Sequence, residues 1–159
     1  MIPDFPTGLR HTLTLPVNER MLVPAVFPDS PSFQAMPPVL ATAFLVALIE
    51  RACLEAVLPF LGPDQRTVGT HVDISHKAAT PVGLTVTAEI ELERVDGRLL
   101  WFKVAARDPV DVISEGRHQR AIVDLPRFLE RAGSKNGASH PPATGEAGHA
   151  LGQAGLKSI

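Results

Sequence analysis

The sequence predicts an α+β fold in which a curled antiparallel β-sheet wraps around one long central α-helix. Three observations carry this expectation. Only one segment, Val39 to Leu61, has the length and apolar content of a long helix. One alternating strand pattern precedes it and four follow it. The first three turns of the helix candidate are apolar nearly all round, so it needs enclosure and not a surface to lie on.

In the first strand Leu9, His11, Leu13 and Leu15 alternate with Arg10, Thr12 and Thr14. The segment Pro24 to Pro38 then holds Pro24, Pro28, Pro31, Pro37 and Pro38. Proline fixes φ and lacks a donor, so neither a regular helix nor a central strand is expected there. Phe27, Phe33 and Met36 sit in this stiffened loop and must pack on the core or on a pocket mouth. Pro38 suits the start of the helix, and Pro59 with Gly62-Pro63 ends it. Val68, Val72 and Ile74 share a parity in the next strand, which places them and His76 toward the core. His71, of opposite parity, is expected to be exposed. Leu84, Val86, Ala88, Ile90 and Leu92 define the following strand, and Asp96-Gly97 marks a two-residue hairpin. Leu100, Phe102, Val104 and Ala106 define the strand after it. The last strand runs from about Val112 to Leu125, where Gly116 implies a bulge or a close backbone approach. Pro126 to Arg131 suits a short terminal helix.

The 159 residues suit one folded domain, residues 1–132, followed by a flexible tail, 133–159, rich in Gly, Ala, Ser, Pro and His. A net charge of -2 gives no basic field for nucleic acid. No apolar run approaches the ~20 residues of a membrane span, and no signal peptide is evident. The cytoplasm is the expected location. The single cysteine, Cys53, forms no internal disulfide and reads as a small core residue. Metal-ligand spacings, a phosphate loop, a dinucleotide fingerprint and a serine-nucleophile elbow are all absent from the pattern, so no metal or cofactor is expected.

Three polar residues interrupt apolar surroundings. Glu50 follows LATAFLVALI in mid-helix, where burial of a lone carboxylate is costly; the alternative is that the apolar face ends there and Glu50 meets water. Thr42 lies eight residues earlier, a net rotation of ~80°, so both can border one cavity; the alternative is a hydroxyl bonded back to its own helix. His76 is either a satisfied core histidine or an acid–base group. A carboxylate, a hydroxyl and an imidazole together suit acyl transfer.

The strand–helix–four-strand order describes a hotdog fold. The blocks PSFQAMPPVLATAFLVALIERAC, TVGTHVDISHKAATPVGLTV and GRHQRAIVDLPRF resemble those of fluoroacetyl-CoA thioesterases and their relatives, from about His11 to Arg131. The resemblance implies a homodimeric acyl-CoA thioesterase with Thr42, Glu50 and His76 as its catalytic set. It further implies substrate contacts from Gly69 and Arg120, and an aromatic gate at Phe33 and the Met36 region. Met36 stands where the fluoroacetyl enzyme has a second gating phenylalanine, which leaves the acyl group open. Rival readings are a hotdog hydratase or dehydratase, a non-catalytic acyl-CoA binder, and a purely structural dimer.

Overall fold

The computed structural model describes residues 2–6 and 8–137. In chain order the elements are β1 (Arg10–Pro16), α1 (Val23–Val26), α2 (Pro31–Gln34), α3 (Thr42–Val57), β2 (Gln65–Ile74), β3 (Thr85–Asp96), β4 (Leu99–Arg107), β5 (Val112–Asp124) and α4 (Leu125–Ser134). The strands form one sheet in the order β1-β3-β4-β5-β2, with every neighbouring pair antiparallel. β2 does not pair with β3. The chain crosses over after β2 and leaves it as an edge strand beside β5.

The concave face of the sheet carries Val86, Ala88, Ile90 and Leu92 from β3 and Leu100, Phe102, Val104 and Ala106 from β4, all buried. They pack on Leu45, Leu48, Ile49, Ala52, Cys53 and Ala56 of α3. This is the period-2 face of a sheet meeting the wide stripe of a helix, the two-layer solution the pattern requires. Ala43 and Ala47 of α3 remain exposed, and Val46, Glu50 and Leu54 are half-buried, so one side of the helix is not covered. Gly97 adopts φ 55° in the hairpin between β3 and β4, the left-handed geometry that Asp-Gly supplies. At Gly116 an added Cβ would overlap the Asp73 backbone on β2, which is the close approach expected of it.

Three features depart from the sequence expectation. The helix begins at Thr42, because Val39 and Leu40 are used in bridges to Pro81 and Leu22. It gives way after Val57 to a single 3₁₀ turn, Leu58–Phe60. The proline-rich loop contains two one-turn helices, α1 and α2, each with proline in its first positions, where the missing donor costs nothing. On β2 Thr67 and Gly69 take the inner face in place of Val68, while beyond the register shift Val72, paired with His118, and Ile74 take it as expected, though Val72 is 42% exposed. A register shift between Gly69 and His71 breaks the alternation, and an edge strand has partners on one side only. At the C-terminus α4 runs to Ser134, past the boundary expected at residue 132. The greater part of the expected tail lies outside the described residues.

Candidate active site

The start of α3 is strapped from two sides. Leu40 N–H donates to Thr80 C=O and Ala41 N–H donates to Met21 C=O, both at 2.8 Å. The first strap pulls the crossover after β2 against the helix start. Thr42, the first helical residue, thereby meets His76, and Thr42 Oγ1 and His76 Nδ1 share a 2.8 Å hydrogen bond. The other ring nitrogen, His76 Nε2, is buried and has no hydrogen-bond partner among the described residues. Both residues line a cavity of about 270 Å³ with Val23, Val39, Leu40 and Ala78. Burial pushes the His76 pKa below its ordinary value, an effect the Ala78 backbone partly opposes. The imidazole is therefore neutral at neutral pH. No side chain caps the N-terminus of α3, so free N–H groups and the positive end of the helix dipole lie beside Thr42.

Glu50 belongs to a second cluster. Its carboxylate lies against the backbone of Gly69, where any Cβ would overlap Glu50 Oε1. Arg120 Nη1 is 3.5 Å from Oε1, and His118 Nε2 is 3.6 Å from the same oxygen. Arg120 is buried at 5% exposure, so it is not a surface ion-pair residue. Its Nε donates to Thr67 Oγ1 at 2.9 Å, its Nη2 to Thr67 C=O at 2.8 Å, and its Nη1 to His118 Nε2 at 3.3 Å. These contacts fix the guanidinium plane and leave Nη1 facing the carboxylate. His118 is fully buried, and its Nδ1–H donates to His71 C=O at 2.8 Å. That bond sets the tautomer, so Nε2 is an acceptor and the ring is neutral. Burial is the main cause of its lowered pKa, and the neighbouring Arg120 charge adds to it.

Within one chain the structure joins Thr42 to His76, and Glu50 to Gly69 and Arg120, but it does not join the two groups. Eight residues of α3 separate Thr42 from Glu50, which is a rise of roughly 12 Å. The sequence expectation that both border one cavity is not met in the single chain: the cavity at Thr42 is not lined by Glu50, and the partner of Thr42 is His76. Phe33 and Met36 do not line it either. Phe33 packs edge-on against Phe27 with ring centroids 4.9 Å apart, while Met36 is 51% exposed. Cys53 is a core residue whose thiol pKa burial pushes up to about 12, which makes it a poor nucleophile. His118 and Thr67 escaped the sequence reading. The signal for His118 was its parity: with Arg120 and Ile122 it shares the core-facing side of β5.

The family of fluoroacetyl-CoA-specific thioesterases matches residues 17–125. The fluoroacetyl-CoA thioesterase of Streptantibioticus cattleyicolor is 42% identical over 131 residues, covering 82% of this chain and 94% of the relative. A solved structure of the fluoroacetyl-CoA thioesterase FlK superposes with a TM-score of 0.81 at 41% identity, covering 83% of this chain and 98% of that one. A Thermus thermophilus thioesterase superfamily member, at 23% identity, has a TM-score of 0.76 and covers 87% of this chain and 100% of its own; it supports the fold alone. By these likenesses the chain belongs to the fluoroacetyl-CoA-specific thioesterase family, hotdog-fold hydrolases of acyl-CoA thioesters.

Proposed function

We propose that the protein hydrolyses a short-chain acyl-CoA thioester in sites shared between the two subunits of a homodimer. The observation that carries the chemistry is the Thr42–His76 pair, with a buried, unpartnered Nε2 in a cavity beside an uncapped helix N-terminus. A thioester carbonyl placed there meets the free N–H groups and the Thr42 hydroxyl. Such donors stabilise the developing oxyanion by a few kcal/mol when water is excluded.

Glu50 either attacks the carbonyl carbon or takes a proton from the water that does. In both routes the C–S bond breaks and the departing CoA thiolate takes the proton given up by the hydrolytic water, which the neutral His76 can relay by accepting it at Nε2. If Glu50 attacks, an anhydride forms and water then cleaves it. Arg120 holds the Glu50 carboxylate in place, and the family resemblance implies that it also contacts polar groups of the substrate. Gly69 leaves room for the carboxylate.

The homodimer reading follows from the separation of the two clusters and from what the chain leaves open. The uncovered side of α3 has small residues, Ala43 and Ala47, which permit close helix approach. Val46 is the midpoint between Thr42 and Glu50. Two α3 helices crossing antiparallel at Val46 set Thr42 against Glu50 of the partner subunit, twice, by symmetry. The exposed edge of β2 extends the same surface. No helix among the described residues is long and apolar enough to cross a membrane. We place the enzyme in the cytoplasm on the strength of its acyl-CoA chemistry and its lone free thiol.

Release of free thiol from a panel of short acyl-CoAs, fluoroacetyl-CoA beside acetyl-CoA, tests the activity and reads the selectivity left open at Met36. Glu50→Gln and His76→Ala enzymes that match the unmodified enzyme in rate sink the assigned roles. Mixing inactive Thr42→Ala and Glu50→Gln chains tests the shared site. Random reassociation restores about a quarter of the sites if each is built from two subunits. No recovery after verified subunit exchange refutes sharing.

A further inference from the structure

On its inner face β5 carries three buried polar residues, Ser114, His118 and Arg120. Their partners on β4 are Ala106, Phe102 and Leu100, all core residues, which fixes the side they face. His118 and Arg120 belong to the Glu50 cluster. Ser114 touches neither cluster by hydrogen bond. It is nonetheless 0% exposed, and its Oγ has no hydrogen-bond partner among the described residues. A buried hydroxyl left unpaired is costly, so its presence calls for a reason.

The residue opposite Ser114 on its other side is His76. The ladder between β2 and β5 continues past the end of β2: Ser75 N–H donates to Glu115 C=O at 3.0 Å, and Lys77 N–H donates to Ile113 C=O at 2.8 Å. His76 and Ser114 are therefore directly opposed, between two hydrogen-bonded pairs. In antiparallel strands this is where side chains come closest, with Cβ atoms about 4.5–5.5 Å apart. His76 Nε2 is itself buried and unpartnered. Among the described residues three buried side-chain polar atoms lack a partner, and two of them belong to this one facing pair. A hydroxyl and a ring nitrogen, each short of a bond, are then one hydroxyl rotation or one bridging water apart.

The role of Thr42 decides which way that bond runs. Thr42 can donate to a developing oxyanion only if its O–H is free, and the 2.8 Å bond to His76 is then donated by Nδ1–H. A neutral ring with its proton on Nδ1 has a bare Nε2, which needs a donor. The Ala78 backbone favours the protonated ring, so it offers an acceptor and not that donor. We propose that Ser114 is a positioning residue for His76: its O–H serves Nε2, holds the ring proton on Nδ1, and thereby frees the Thr42 hydroxyl for the thioester. A hydroxyl suits a nitrogen that changes state. It donates to bare Nε2 and accepts from Nε2–H once the ring has taken up a proton, while Ser114 keeps its own proton. The inference deepens the hydrolase reading given above and rests on it for the role of Thr42.

The experiment uses the full-length enzyme and the variants Ser114→Ala, Ser114→Cys and Ser114→Thr. Nitrogen chemical shifts of isotope-labelled histidine read which ring nitrogen carries the proton, and His76 signals are assigned by their loss in His76→Gln. The parent shows Nδ1–H and a hydrogen-bonded Nε2. Ser114→Ala and Ser114→Cys move the Nε2 signal and draw the tautomer toward Nε2–H, while Ser114→Thr stays like the parent. Cysteine resembles serine in shape but is a weak donor, so it separates the bond from the filling of space. In thiol release from fluoroacetyl-CoA and acetyl-CoA, the first two variants lower kcat about tenfold and leave KM within roughly twofold, and Ser114→Thr restores the rate. A parent ring with its proton on Nε2, or Ser114→Ala shifts equal to those of the parent, overturns the proposal. So does a fall in kcat without a change at Nε2, or in an active enzyme a change at Nε2 without a fall in kcat. If neither substrate releases thiol while Nε2 still responds to Ser114→Ala, the hydrolase reading fails and the Ser114–His76 contact stands.

Discussion

Replacing Gly69 by alanine places one methyl group where the Glu50 carboxylate now rests. The new Cβ overlaps Glu50 Oε1 and comes within 3.3 Å of His118 Cε1. His118 is locked by its bond to the His71 carbonyl and yields little. Glu50 is half-exposed and sits at the end of a flexible side chain, so the carboxylate is the group that moves. Clearing the overlap takes about 1 Å or more, and a displacement of ~1 Å at a reacting group costs on the order of 10²-fold in rate. The fold loses little, because the far end of one side chain absorbs the clash. The expected Gly69→Ala enzyme therefore has kcat/KM for its best acyl-CoA reduced about 100-fold and a melting temperature close to that of the parent. Thiol-release kinetics beside a calorimetric melt measure both. A variant that keeps kcat/KM within threefold refutes the role of the Glu50–Gly69 contact, and one that loses activity only by unfolding refutes the positional argument.

Other expectations follow from the same contacts. His118→Phe strips an acceptor from Arg120 Nη1 and a donor from His71 C=O, so it lowers stability by about 1–3 kcal/mol in urea unfolding. Burial holds the pKa values of His76 and His118 below the unfolded value of ~6.5. The unfolded chain then binds more protons just below that pH, so stability falls as pH drops from about 6.5 toward the depressed folded values. Urea midpoints at pH 7.5 and 5.5 show the loss, and the difference shrinks in His118→Phe. Thr80 Oγ1–H donates to Asp108 Oδ2 at 2.8 Å in a buried pair beside the strap that holds Leu40. Thr80→Val leaves that oxygen without its hydroxyl and costs about 1–3 kcal/mol by the same assay.

The sequence pattern conveyed the fold where one face is buried and periodicity is strict. β3 and β4 read directly from Val86 to Leu92 and Leu100 to Ala106, because each inward residue meets α3. β2 defies a single parity, since Thr67 and Gly69 take the inner face before the register shift at Gly69/His71 and Val72 and Ile74 take it after. The start of α3 was placed early because Val39 and Leu40 look helical alone, and only the tertiary bridges to Pro81 and Leu22 claim them. For the candidate site, local pattern gave residue types and left each role open. The eight-residue spacing of Thr42 and Glu50 brings them toward one side of the helix, yet the same spacing sets them roughly 12 Å apart along its axis. His118 was hidden because a buried histidine and a structural one have the same parity, and its bond to the His71 carbonyl is a contact between distant segments.

α3 carries Thr42 at its first residue and Glu50 at mid-length, on one continuous rod of 16 residues. In a shared-site dimer those two groups serve opposite reaction centres. In a two-fold dimer a slide of one rod along the other offsets the hydroxyl from the opposing carboxylate by the same distance at both centres. A change that shifts the crossing point therefore weakens both centres together, and the two keep or lose activity as a pair.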